Sequence, residues 1–292
     1  MAPISCSRCK ERAVFAAPSL CKAHFCAYFE DKVKKTIKEF RMLKKTDRVA
    51  VAVSGGKDSL TVLHILKVLG YDVSAIAIDE GIKDYRENTL KTMRSFCRKN
   101  GIAYKIYTFK AAVGKTLDVL VKRDMHPCSV CGVLRRYLLN KHSRQYDAIV
   151  TGHNLDDESQ AIIMNLVKNN MPALLRAGPV TGIIRSRRFT KRVKPLITCS
   201  EKEVMAYSFL SSITSDFNEC PHAILSFRMK VRDGLNAIEQ GSPGTKENIL
   251  KWSLRLSRGK THGRVSICIC CGEPSSQEIC KACQIMERIR CI

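Results

Sequence analysis

A chain of 292 residues, 45% hydrophobic, is long enough for one sizeable core plus small appendages, and its composition excludes global disorder. Fifty Lys and Arg against 27 Asp and Glu leave a formal charge of +23, which favours a polyanionic partner. Nucleic acid is expected rather than a membrane, because no apolar secretory core, no membrane-length run and no amphipathic anchor accompanies the charge; a cytoplasmic location is expected, where fifteen cysteines are metal ligands or redox groups rather than a disulfide framework.

In chain order, residues 1–26 hold four cysteines and a histidine in a loop-like stretch, the heart of an amino-terminal module over residues 1–30. Cys6-x-x-Cys9 and Cys21-x-x-His24 offer four ligands for Zn²⁺; Cys26 competes with His24, and the pair spacing favours His24. A central domain over residues 31–240 follows. Its apolar runs predict strands at 48–53, 73–79, 104–109 and 147–150. Helical patterns lie at 32–43, 59–69, 88–100 and 132–142. This alternation implies an α/β fold with a doubly wound parallel sheet. Ligands of such sheets bind beyond the carboxyl ends of the strands, so Ser54–Ser59, Asp79 and Thr151–Gly152 should face one crevice.

The segment Ser54-Gly55-Gly56-Lys57-Asp58-Ser59 joins the first of these strands to a helix. That arrangement puts bare N–H groups, a lysine and two hydroxyls around one anion site. It is not the G-x-x-x-x-G-K-[ST] phosphate loop, since Asp58 follows Lys57 and no glycine stands five residues before Gly56. Lys57 suits charge developing on pyrophosphate, and Asp58 suits Mg²⁺; the bland alternative is a glycine turn with a helix cap. Thr151-Gly152-His153-Asn154-Leu155-Asp156-Asp157-Glu158 also follows a strand and opens a helix. Its acids suit Mg²⁺, or they are simply N-caps at Asp156 and Asp157 with Glu158 in the first turn.

Cys128-x-x-Cys131 lies at a loop-to-helix junction, with Arg135 one turn on. Thiolates there suit an iron–sulfur cluster, a persulfide or disulfide pair acting without iron, or an ordinary buried thiol pair. Three basic runs follow the polyanion argument. One spans Arg176 to Lys194 and includes Arg185, Arg187, Arg188, Lys191 and Arg192; its Gly178–Lys194 part is expected to be mobile until RNA binds. A second, from Lys251 to Arg264 beside Trp252, lies in a basic linker or helix at 241–264, and a third covers Lys32 to Arg41. Residues 265–292 close the chain with Cys268-x-x-Cys271 and Cys280-x-x-Cys283, the spacing of a four-thiolate Zn²⁺ knuckle pair. Cys97, Cys199, Cys270 and Cys291 read as free thiols.

The glycine loop resembles the PP-loop of the N-type ATP pyrophosphatases, which split ATP into AMP and pyrophosphate to adenylate a carbonyl oxygen. With Asp79-Glu80-Gly81-Ile82, Pro127–Arg136 and both cysteine modules, nearly the whole chain resembles the tRNA 2-thiolation enzymes of the TtuA/TtcA group. The loop alone is shared with GMP and lysidine synthetases; the combination with Cys128-x-x-Cys131 and two zinc modules points to the branch that includes the archaeal and eukaryotic cytoplasmic thiolation subunit.

The resemblance implies that ATP binds across Ala52, Val53, Ser54, Gly55, Gly56, Lys57, Asp58, Ser59, Asp79, Gly152 and Asp157. Lys57 and Arg135 would stabilise phosphate charge, while Asp58 and Asp157 serve Mg²⁺ or positioning. Cys128 and Cys131, with the distant Cys220, would hold a 4Fe–4S cluster whose open iron carries sulfide. The implied reaction forms 2-thiouridine in tRNA, at the wobble base in preference to the T-loop base, with free sulfide or a ubiquitin-like thiocarboxylate protein as donor. A homodimer is expected by analogy only. A rival of another class is a non-enzymatic, zinc-dependent RNA-binding protein with a vestigial loop.

Overall fold

The computed structural model describes residues 4–121, 126–182, 189–214, 220–223, 227–257 and 266–290. Near the amino end, β1 (Phe15–Ala16) and β2 (Ser19–Leu20) form a small antiparallel hairpin that leads into α1 (Lys22–Glu39). This helix begins ten residues before the expected one at 32–43, inside the stretch expected to be loop-like. Its cause is a stripe at helical spacing, Phe25, Phe29, Val33, Thr36 and Ile37, all buried. The stripe starts inside the cysteine module, so α1 is continuous across residue 30 and anchors the module to the core.

The central sheet holds β3 (Arg48–Ala52), β4 (Asp72–Asp79), β5 (Tyr104–Thr108), β6 (Ala148–Thr151), β7 (Val180–Thr181) and β8 (Lys191–Val193), in the order β5-β4-β3-β6-β8-β7. The four expected strands end within one residue of the observed ones. Registers are parallel from β5 to β8, with Val49 beside Val73 and Ala148. The sheet is not wholly parallel: β7 runs antiparallel to β8, with Thr181 opposite Arg192. A short direct connection can join only antiparallel neighbours, whereas a parallel pair needs a crossover. The stretch 178–194, expected to be mobile, thus supplies two strands; its Arg185, Arg187 and Arg188 lie outside the described residues.

Helices cover both faces of the sheet. α2 (Lys57–Val68), α3 (Arg86–Lys99), α7 (Leu155–Val167), α8 (Met171–Arg176), α9 (Glu201–Leu210) and α11 (Thr245–Ser257) join α1 on one core layer with Val49 and Val51. α4 (Phe109–Val113), α5 (Leu117–Val121) and α6 (Pro127–Ser143) fill the other with Ala50, Ile76 and Ile149. Successive strand residues point to opposite faces, and both are apolar, as a sheet buried on two sides requires. A 3₁₀ turn (Pro221–Ala223) meets α6, and α10 (Phe227–Gly241) packs on α7 and α11. The carboxyl module is β9 (Ser266–Ile267) paired with β10 (Pro274–Ser275), then α12 (Lys281–Arg290), packed on α6. Among the described residues no helix is long and apolar enough to cross a membrane.

Candidate active site

The chain leaves β3 toward β4 and β5 but leaves β6 toward β8, so the strand order reverses between β3 and β6. A crevice opens at such a point. Here it holds about 300 Å³ and is lined by Ala52, Val53, Ser54, Gly56, Asp58 and Ser59 from the first loop, and by Gly152, His153 and Asp157 from the second. Two glycines let these loops close on their neighbours. Gly55 takes φ +95°, and a Cβ there would stand 2.1 Å from the Thr89 carbonyl oxygen. A Cβ on Gly152 would stand 2.8 Å from the Asp58 carbonyl group.

Gly56 is the N-cap of α2 and offers no side-chain acceptor, so the first-turn N–H groups keep their anion-binding capacity. Ser59 Oγ accepts from the Ser54 amide (3.1 Å) and donates to the Gly56 carbonyl (2.9 Å), which pins the loop. Gly55, Lys57 and Asp79, expected at the ATP site, are not among the residues that line the crevice. Asp79 accepts from the Gly81 amide at 2.9 Å, holding the turn after β4. Lys57 Nζ lies 3.1 Å from Asp58 Oδ2 and 2.7 Å from Glu201 Oε1. Burial, then the charge of nearby Asp157, raise the Asp58 carboxyl, while Lys57 opposes them.

The helix at the second loop is capped by Asn154, not by Asp156 or Asp157. Asn154 Oδ1 accepts from the Asp157 amide (3.0 Å), and Asp157 Oδ2 accepts from the Asn154 amide (3.2 Å), a reciprocal capping box. Asn154 Nδ2 also donates to Asp58 Oδ1 at 3.2 Å, tying the two loops together. Asp157 Oδ1 receives Arg228 Nη2 from α10 at 2.7 Å; burial raises this carboxyl and Arg228 draws it down. Asp156 is buried against Lys246 and accepts from the Glu201 amide at 2.8 Å. Glu80, also buried, pairs with Arg86 Nε at 2.9 Å and Arg135 Nη1 at 3.7 Å.

Cys128 and Cys131 occupy the first turns of α6, behind Pro127 at its start. Cys128 is exposed and donates to the His222 carbonyl at 3.6 Å, which brings it to the 3₁₀ turn that follows Cys220. Burial pushes the Cys131 thiol up to about 11; Arg135 opposes this, and Glu80, Cys220 and Cys128 add to it. A second cavity of about 260 Å³ adjoins the crevice and is lined by Cys220, Glu201 and Arg228; Asp58 and Asp157 line both spaces.

In each terminal module the ligand atoms of four residues lie within 4.8 Å of one another: Cys6, Cys9, Cys21 and His24, and Cys268, Cys271, Cys280 and Cys283. His24 Nδ1 is 3.3 Å from Cys21 Sγ and 3.5 Å from Cys6 Sγ, whereas Cys26 packs against the apolar core. Of the expected RNA contacts, Lys191 pairs with Asp47 at 3.8 Å and Arg192 lines the crevice. Arg86, Glu201 and Arg228 had no sequence signal for this site, and only spatial convergence reveals them. Glu80, Arg136 and His153 lie inside the Asp79–Ile82, Pro127–Arg136 and Thr151–Glu158 segments but had no individual role there.

This fold and loop define a PP-loop nucleotide-binding protein, and the family model described as a PP-loop domain matches residues 27–243. The tRNA-5-methyluridine(54) 2-sulfurtransferase of Pyrococcus horikoshii is 36% identical, over 91% of this chain and 86% of its own length. Cytoplasmic tRNA 2-thiolation protein 1 of Drosophila ananassae is 34% identical over 98% and 88%. The solved U34-tRNA thiolase NcsA of Methanococcus maripaludis, with its [4Fe-4S] cluster, superposes with a TM-score of 0.87 at 33% identity, over 99% of this chain and 97% of that one. The chain belongs to the PP-loop family, within its tRNA 2-thiolation branch.

Proposed function

We propose that the chain is an ATP-dependent tRNA 2-sulfurtransferase of the cytoplasm that makes 2-thiouridine, at the wobble position. The observation that carries this reading is the crevice wall, which gathers an open helix N-terminus, paired acids and, through an adjoining cavity, a thiol. The uridine C2 oxygen attacks the α-phosphorus of ATP and pyrophosphate leaves. Sulfide then attacks C2, and AMP leaves with the original oxygen. Adenylation converts a poor leaving oxygen into a good one.

Lys57 exchanges Asp58 and Glu201 for phosphate oxygens when ATP enters, and Arg135 adds positive charge from α6. Asp58 and Asp157 face the same space, a placement that suits Mg²⁺ on the triphosphate. Arg228 holds Asp157 in place. Cys128, Cys131 and Cys220 would hold the iron–sulfur cluster: their donor set is thiolate, and a bound cation relieves the buried Cys131 thiol, which is otherwise held protonated. When bound, the cluster supplies a Lewis-acidic iron with affinity for sulfide. The two four-ligand groups suit tetrahedral Zn²⁺, one per terminal module.

The wobble assignment is supported by the likeness to the U34 thiolase along both full chains. The T-loop reading is favoured by the name of the Pyrococcus relative. Mapping thiolated nucleosides in tRNA after reaction with ATP and sulfide separates them: 2-thiouridine at the wobble base supports the first, and thiolation confined to the T-loop overturns it. Free sulfide as the donor, in place of a thiocarboxylate protein, is tested in the same reaction.

A further inference from the structure

A third cavity, about 340 Å³, lies between α6, the β7–β8 edge and the carboxyl cysteine module. It shares two residues with the nucleotide crevice, Arg136 of α6 and Arg192 of β8, which stand as a partition between the two spaces. Among the described residues neither guanidinium is paired with a carboxylate. The Nε of Arg192 is fully buried and has no hydrogen-bond partner, a cost that a structure rarely tolerates without a ligand. Burial and then Arg136 press the Arg192 guanidinium down to about 10. Among the described residues the one acid that lines the cleft, Glu273, is already bound to Asn140 and Arg144. Tyr137 and Phe189 also line this cavity, and their flat rings suit stacking on a base.

We propose that Arg136 and Arg192 bind one RNA backbone phosphate beside the target uridine, so that the uridine enters the nucleotide crevice while its neighbour lies in the Tyr137–Phe189 cleft. The inference rests on the tRNA-modifying reading and adds to it the path of the strand. An arginine pair suits a phosphodiester because each guanidinium presents donors in a fixed fork. The same chemistry would accept a phosphate of ATP, and the experiment separates the two sources.

The full chain with its metals is compared with Arg136→Gln and Arg192→Gln, using a tRNA anticodon stem-loop and, separately, ATP without RNA. The expected result is RNA affinity lower by about tenfold, a salt slope shallower by about 1, and an unchanged ATP Kd. Weaker ATP binding with unchanged RNA affinity would overturn the proposal and assign the pair to ATP. Unchanged affinity for both would overturn it as well. Arg136, open on the helix surface, keeps the test valid if the Arg192 variant fails to fold. A wild-type chain that binds ATP but no RNA would instead overturn the functional reading on which the inference rests.

Discussion

At the scale of single residues, Lys57 is held by two carboxylates, which ATP would displace in the proposed role. Lys57→Ala should therefore lower RNA-dependent pyrophosphate release by about 10²–10³-fold; release near the wild-type rate would contradict that role. His153 gives a pH signature. The residue keeps an exposed surface where it lines the crevice, yet desolvation of its ring and then Lys194 push the imidazole down to about 4 from 6.5. The folded chain binds this proton more weakly than the unfolded chain. The stability His153 contributes is thus full above pH 6.5 and is lost as pH falls from there toward 4. His153→Asn should flatten that part of the stability–pH curve, measured by urea unfolding at stepped pH, and an unchanged slope would count against it. Lys57 and Asp58 stood out in the sequence because they follow the glycine turn after β3, whereas Asp157, in the second strand-to-helix loop, stood out only through the family resemblance. Glu201 and Arg228 were not, since they reach the site from helices far along the chain.

At the scale of elements, the strands were legible because short β-rich apolar runs between polar turns leave little choice of boundary. α1 was misplaced because its first two turns run through the cysteine module, where Cys21 and His24 drew attention from the Phe25–Phe29 stripe. The β7–β8 edge was hidden in a basic stretch that lacks an apolar alternation. A contact equally invisible in sequence joins α11 to α7: Lys246 and Asp156, both buried. Lys246→Met leaves Asp156 a buried carboxylate without its cation and should cost about 3–5 kcal/mol. A double variant that also neutralises Asp156 should recover much of that loss in urea unfolding; a Lys246→Met chain as stable as wild type would contradict the account. The terminal modules predict two Zn²⁺ per chain by elemental analysis. Cys268→Ser should lose the carboxyl-terminal ion and loosen α12 while leaving the other in place. Retention of both ions would disprove the assignment.

At the scale of the whole molecule, two features work together. The strand-order reversal between β3 and β6 builds one crevice, and the +23 charge has the sign that favours a polyanionic partner. The charge was plain from composition, but its placement was not: Lys194 and Lys246 lie buried against acids, and Arg192 turns toward the crevice. Net charge therefore overstates the surface available to RNA, and the partition inside the molecule matters as much as the outside. The most direct measurement of the central claim is anaerobic reaction of the metal-loaded chain with tRNA, ATP and sulfide, followed by mass spectrometry of the nucleosides. The account predicts 2-thiouridine formed with stoichiometric AMP, abolished by Cys128→Ala although that variant still binds ATP. No thiolation by the loaded wild-type chain, or normal thiolation by Cys128→Ala, would contradict it.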